Sequence, residues 1–164
     1  MSGLKTSYLQ GTRSSGFTLV ELMVVLALIG ILAGIAIPNI LANLPTYRLH
    51  SAARKVMTDL NYARGRAASL NREYRVQFDV NADIYLVQKG DNSTGSSSWV
   101  TEKEELYLIK DKIDVVSLTQ NPVYAKPTGT MTPATITLQN SKGQSLEITA
   151  SLVGRIKKGT ITHE

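Results

Sequence analysis

The chain has 164 residues, 18 basic and 13 acidic side chains and a formal charge of +5, two units of which come from Lys5 and Arg13. It has no cysteine, so no disulfide can staple it and any soluble part must rest on its own hydrophobic core. The charge excess is mild and is not by itself the signature of a nucleic-acid binder.

In chain order, residues 1–16 carry Lys5 and Arg13 and no acid. Phe17 to Pro38 then form an apolar run interrupted by one charge, Glu21. As a helix rising ~1.5 Å per residue it reaches roughly 33 Å, enough to cross a hydrocarbon core of about 30 Å. A carboxylate held there costs about 2.5–3.5 kcal/mol at mid-bilayer and less near the interface, so Glu21 needs a partner. Cleavage between Gly16 and Phe17 would supply one, the new amine of Phe17, from the same chain or from an adjoining copy. Lys5 and Arg13 put the N-terminus in the cytoplasm and the C-terminal part on the far side, the periplasm of a double-membrane bacterium.

Two other readings fit parts of this segment. A secretory signal would have a shorter, uncharged apolar region and a small-x-small cleavage site, and Ala33-Gly34-Ile35-Ala36 offers none. A plain membrane anchor explains the length but neither Glu21 nor the Gly16-Phe17 junction.

The residues Gly16-Phe17-Thr18-Leu19-Val20-Glu21 resemble the processing site of type IV pilins and of the pseudopilins of type II secretion. In that family a short basic leader ends in Gly, and Phe and an acidic fifth mature residue follow; a helix-kinking proline is common where Pro38 falls. The resemblance implies removal of leader 1–16 by a prepilin peptidase and N-methylation of Phe17. It also implies assembly into a helical filament, with 17–38 as the transmembrane and filament-core helix and Glu21 as the docking group.

Pro38 and Pro45 each remove a helix hydrogen bond and are expected to bend or interrupt the helix near the membrane surface. From Tyr47 an apolar stripe recurs at three- and four-residue steps: Leu49, Ala52, Ala53, Val56, Leu60, Ala63, Ala67 and Leu70. Arg48, Lys55, Asp59, Tyr62 and Arg66 fall outside it. The pattern predicts one helix over about 17–70, of which 39–70 is an amphipathic continuation covering a sheet.

Residues 71–164 read as a periplasmic β-rich domain. Tyr74, Val76, Phe78 and Val80 alternate with polar residues, and Asn81-Ala82-Asp83 turns the chain into Ile84–Val87, a hairpin. Gly90 to Ser98 reads as a flexible loop. Further short strands are expected at 106–109, 113–118, 135–138, 146–150 and 153–156, with a turn at Asn140-Ser141-Lys142-Gly143. The fold class is therefore α+β: a long N-terminal helix packed on an antiparallel sheet. Gly129, the strand Ile136-Thr137-Leu138, the Gly143 turn, Leu146-Glu147-Ile148-Thr149 and Val153-Gly154-Arg155-Ile156 are similar to the C-terminal half of the GspH/FimT minor pilin family.

No residues are arranged for catalysis, so no enzyme activity and no cofactor are expected. His50 and His163 are isolated, and there is no phosphate-binding or nucleophile motif. Asp79, Asn81 and Asp83 open like a calcium loop, but the Gly and closing Glu such a loop needs are replaced by Ile84 and Gly90. No metal site is expected, and the turn explains these residues. Arg155, Lys157 and Lys158 are a candidate DNA contact: some FimT-type pilins are implicated in DNA uptake through Gly-Arg-x-Arg, and Gly154-Arg155-Ile156-Lys157 keeps the charge but loses the second guanidinium fork. A solvated strand end accounts for the same residues. Arg64, Arg66, Arg72 and Arg75 read as a wet face or as partners of Glu73.

The expected function is that of a minor pseudopilin in a type II secretion system, at the pseudopilus tip and anchored by one pass in the inner membrane. Expected partners are the prepilin peptidase, other major and minor pilins or pseudopilins, the inner-membrane assembly platform and the membrane. The alternatives are a type IV minor pilin, with or without DNA uptake, and a membrane-anchored periplasmic binding domain.

Overall fold

A computed structural model describes residues 16–82, 84–105 and 112–163. One helix, α1 (Leu19–Leu70), is followed by eight strands: β1 (Tyr74–Asp79), β2 (Ile84–Gly90), β3 (Trp99–Glu105), β4 (Ile113–Leu118), β5 (Val123–Ala125), β6 (Ala134–Asn140), β7 (Gln144–Ala150) and β8 (Ile156–His163). The chain divides into two compact units, 1–41 and 42–164.

Helical structure is assigned without interruption through Pro38 and Pro45. Loss of one backbone donor at each site is thus tolerated within a ladder of many bonds. In the first unit the helix buries no large side chain, and its apolar residues stand exposed from Leu19 to Leu41.

In the second unit the expected stripe is the core face. Leu49, Ala52, Ala53, Val56, Leu60, Ala63 and Ala67 are buried, whereas Leu70 is 38% exposed at the helix end. The strands form two four-stranded antiparallel sheets, not one, in the orders β3-β2-β1-β5 and β4-β6-β7-β8. Tyr74, Val76, Phe78, Tyr85, Val87 and Val123 of the first sheet join Ile113, Val115, Ile136, Leu138, Leu146 and Ile148 of the second in one cluster with the helix. Each such aliphatic or aromatic side chain contributes about 1.5–3 kcal/mol on burial.

Asp59 was expected outside the stripe and is fully buried. Its carboxylate accepts from Tyr85 Oη at 2.6 Å and from Lys103 Nζ at 3.0 Å, with Lys55 at 3.8 Å one turn away. These bonds offset the cost of removing a charge from water and tie the helix to β2 and β3. Beside them Glu102 accepts from Tyr74 Oη (2.9 Å) and Tyr62 Oη (3.2 Å), with Arg66 at 3.8 Å. Burial, followed by the bond to Glu102, pushes the Tyr74 hydroxyl up to about 12.

The hairpin at 79–84 forms as expected, with Asp79 paired to Ile84. Asp79 Oδ1 accepts from the amides of Asn81 and Ala82, so this carboxylate serves the turn. Val80 lies in that turn and is exposed, which ends the alternation one step early. The Asn140–Gly143 turn also forms: Asn140 Oδ1 accepts from the amides of Lys142 and Gln144, and Gly143 takes the left-handed conformation at φ 73°. Thr46 Oγ1 and Lys142 Nζ bind this turn to the helix, through Gln144 Oε1 at 2.7 Å and the carbonyl of Ala42. The strand expected at 106–109 lies outside the described residues.

One expectation is corrected. Residues 151–155 are a turn, not a strand: Ser151 N–H donates to the carbonyl of Arg155, Gly154 N–H to that of Ser151, and Arg155 N–H to Ser151 Oγ. The strand begins only at Ile156. The segment 90–98 is a loop, but a tightly bonded one. Asp91 accepts from the amide and hydroxyl of Ser97, Ser96 Oγ bridges the backbone of Asn92, and Glu73 Oε2 accepts from the amide of Ser96 at 2.8 Å.

Candidate functional site

The apolar run of the sequence becomes the exposed arm of α1. Gly16, Phe17 and Thr18 precede the helix, and Phe17 is 83% exposed. Thr18 Oγ1 accepts from the amide of Glu21 at 3.2 Å. This is one half of a capping box, in which Thr-x-x-Glu starts a helix by satisfying its orphan amides. The spacing Thr18-Leu19-Val20-Glu21 carries this signal in the sequence, beside the more conspicuous charge of Glu21. Glu21 stands in the first turn, where the positive end of the helix dipole also favours an anion.

From Leu19 to Leu41 the arm presents leucine, isoleucine, valine and methionine on every side, and Glu21 is its only ionisable residue. Its length and composition suffice to cross a membrane, and none of its apolar window is buried. Apolar surface of this extent requires lipid or other subunits around it.

The basic residues near the last strand do not form one patch. Arg155 and Lys157 line a cavity of about 350 Å³ with Thr149, Ser151 and Val153. Lys158, the next residue of the strand, points to the other face. Its Nζ lies 3.5 Å from Nδ1 of His50 on the helix. Burial first, and then the charges of Lys158 and Arg54, hold the His50 imidazole below its ordinary value.

Arginines of the helix and of β1 are engaged as well. Arg64 Nε donates to the carbonyl of Gly129 at 2.8 Å. A side chain at Gly154 would sit 2.4 Å from Arg64 Nε and 2.5 Å from that carbonyl, so Gly154 leaves room for this arginine. At φ 78°, Gly154 also occupies a backbone region that other residues enter with strain. Arg75 donates to Gln88 and stacks 4.3 Å over Trp99. Arg72 lines a cavity of about 360 Å³ with Lys89, Asp91 and Glu102. Glu73, the expected partner of these arginines, is instead committed to the 90–98 loop. No metal-holding cluster of His, Asp or Glu occurs among the described residues.

A continuous helix with an exposed apolar arm, followed by antiparallel sheets on its second half, is a pilin-type subunit. Residues 11–37 match the prokaryotic N-terminal methylation motif, and residues 52–154 match the family model of the type II transport protein GspH. The chain belongs to the GspH family. Among solved structures it is similar to the minor pseudopilin EpsH from the type 2 secretion system of Vibrio cholerae, with TM-score 0.56, 14% identity, and coverage of 69% of this chain and 97% of that one. It is equally similar to the type IV minor pilin FimU of Pseudomonas aeruginosa, with TM-score 0.56, 17% identity, and coverage of 70% and 90%. At these identities the likeness is one of fold. Comparison with curated proteins gives no match.

Proposed function

We propose that the chain is a minor pseudopilin of a type II secretion system, made with a leader 1–16 that prepilin peptidase removes after Gly16. Phe17 then becomes an N-methylated terminus. Residues 17–38 act first as an inner-membrane anchor with the N-terminus cytoplasmic, and then as the core helix of a periplasmic filament delivered by an inner-membrane platform. Residues 39–70 and 71–164 form the periplasmic part, which sits at the filament tip among other minor subunits. Pro38 supplies a bend where the arm leaves the membrane.

The single observation that carries this reading is the exposed apolar arm with one carboxylate in its capped first turn. Within a lipid-excluded filament core, a neighbour stepped so that its terminal amine meets Glu21 gains an ion pair, and a misplaced neighbour leaves a charge unpaired. The extent of the GspH match supports the secretion system. The likeness to FimU, equal in TM-score, supports a type IV minor pilin as the second reading. DNA uptake gains less support, since Lys158 is turned toward His50 and only Arg155 and Lys157 share a surface.

Deletion of the gene tests the choice, with exoprotein release, twitching and transformation assayed in parallel. Secretion alone should fail. Loss of twitching with normal release would select the pilus reading, and loss of transformation alone the uptake variant.

A further inference from the structure

The face of the first sheet that does not meet the helix carries a cavity. It measures about 310 Å³ and is lined by Glu73, Gly95, Ser96, Trp99, Tyr124 and Lys126, with Thr132 at its rim. This is at the small end of the range, about 300–1,000 Å³, in which proteins hold small ligands.

Its walls are fixed. The 90–98 loop folds over Gly90 so closely that a side chain there would lie 2.2 Å from Ser96 Oγ. Glu73 closes the base of that loop and is 6% exposed. On the other side, Thr132 N–H donates to the carbonyl of Tyr124, and Lys126 N–H to that of Thr130. Trp99 and Tyr124 meet with ring centroids 5.8 Å apart, and Arg75 stacks on Trp99.

Its chemistry is mixed. Glu73 uses Oε2 for the Ser96 amide. Among the described residues, no hydrogen bond engages Glu73 Oε1, Trp99 Nε1, Tyr124 Oη, Lys126 Nζ or Thr132 Oγ1. Free donors and acceptors thus converge beside an aromatic surface. The site holds charges of both signs, the buried carboxylate of Glu73 and the cations of Lys126 and Arg75, so a ligand of either sign meets repulsion that offsets its attraction. A neutral polyhydroxylated ligand with an apolar face escapes that repulsion. Its hydroxyls match the free groups, and its C–H face matches the aromatic pair.

We infer that this cavity is a binding site for a neutral saccharide, with Tyr124 and Trp99 as the stacking surface and Glu73, Lys126 and Thr132 as hydrogen-bonding groups. The site is independent of which secretion or pilus system the subunit serves.

Trp99 is the only tryptophan of the chain, so its fluorescence reads the site directly. The full-length protein in detergent micelles is titrated with cellobiose and with N,N′-diacetylchitobiose, and with cationic chitobiose and anionic cellobiouronate as charged counterparts of the same size. A saturable change is expected with at least one neutral disaccharide, and at least about tenfold weaker binding of both charged sugars. Tyr124→Ala and Thr132→Val should each weaken the neutral ligand, the first by about tenfold or more. Circular dichroism identifies any variant that has lost its fold, and the other variant then decides. Absence of a saturable response to either disaccharide, equal binding of the charged sugars, or unchanged affinity in the folded variants would overturn the assignment.

Discussion

The two units of this chain obey opposite rules. Among the described residues of 42–164 the apolar side chains bury one another: the helix stripe and both sheets share one core, and even the buried Asp59 and Glu73 find partners inside the domain. The arm from Leu19 to Leu41 satisfies almost nothing beyond its own backbone and one cap. An apolar surface without internal partners is a surface made for others, whereas a buried carboxylate with three cationic or hydroxyl partners is an internal device. The same residue type, an acidic side chain, therefore carries different meanings at Glu21 and at Asp59.

The largest effect separates these meanings. Glu21→Val should leave membrane insertion and the thermal midpoint of the domain unchanged and abolish incorporation into filaments, measured by crosslinking and filament shearing. Normal incorporation would merge the two kinds of carboxylate and remove the docking role. Asp59→Ala should act on the domain instead, destabilising it by about 1–3 kcal/mol in a denaturant titration, because the buried Tyr85 hydroxyl loses its acceptor.

Glycines sharpen the contrast on a smaller scale. Gly154→Ala brings a methyl group against Arg64 and the Gly129 carbonyl at a positive φ, and should cost about 1–3 kcal/mol. Gly30→Ala meets nothing within 4 Å and should leave the domain's midpoint where it was.

The smallest effects are in pH. Tyr74 is raised to about 12, so between pH 10 and 12 the unfolded chain ionises while the folded one keeps its proton. Stability present below pH 10 is lost as pH rises through 12, and Tyr74→Phe should flatten that slope. His50 is shifted the other way. Its folded form resists protonation, so stability falls as pH drops below the ordinary value of 6.5, and His50→Gln should remove that component.

The helix stripe and the strands at 74–79, 113–118 and 146–150 were legible because apolar burial writes its period into the sequence. Trp99–Glu105 was not, because this strand meets the helix through Glu102 and Lys103, and paired charges look like solvent-facing ones until the partners are known. The 90–98 loop was legible as a loop, but its internal bonds were not: Ser97 donates to Asp91, Ser96 to Glu73, and Asn92 to Ser96. The strand Val123–Ala125, which adds to the edge of the first sheet beside β1, was not legible because three residues are too short to carry a period of their own. In the candidate site, Gly16, Phe17 and Glu21 were legible as a spacing, and the cap from Thr18 was present in the same letters. The separation of Lys158 from Arg155 and Lys157 was hidden by the placement of strand 156–163, whose exposed residues give no alternation to fix their faces.

Intact-mass and N-terminal fragment analysis of the protein purified from membranes tests the central claim most directly. A mature chain starting at Phe17 and carrying one methyl group on its terminal nitrogen is the predicted result. A chain that retains residues 1–16, or that is cut at any other junction, would contradict the account, since Glu21 would then have no terminal amine to meet.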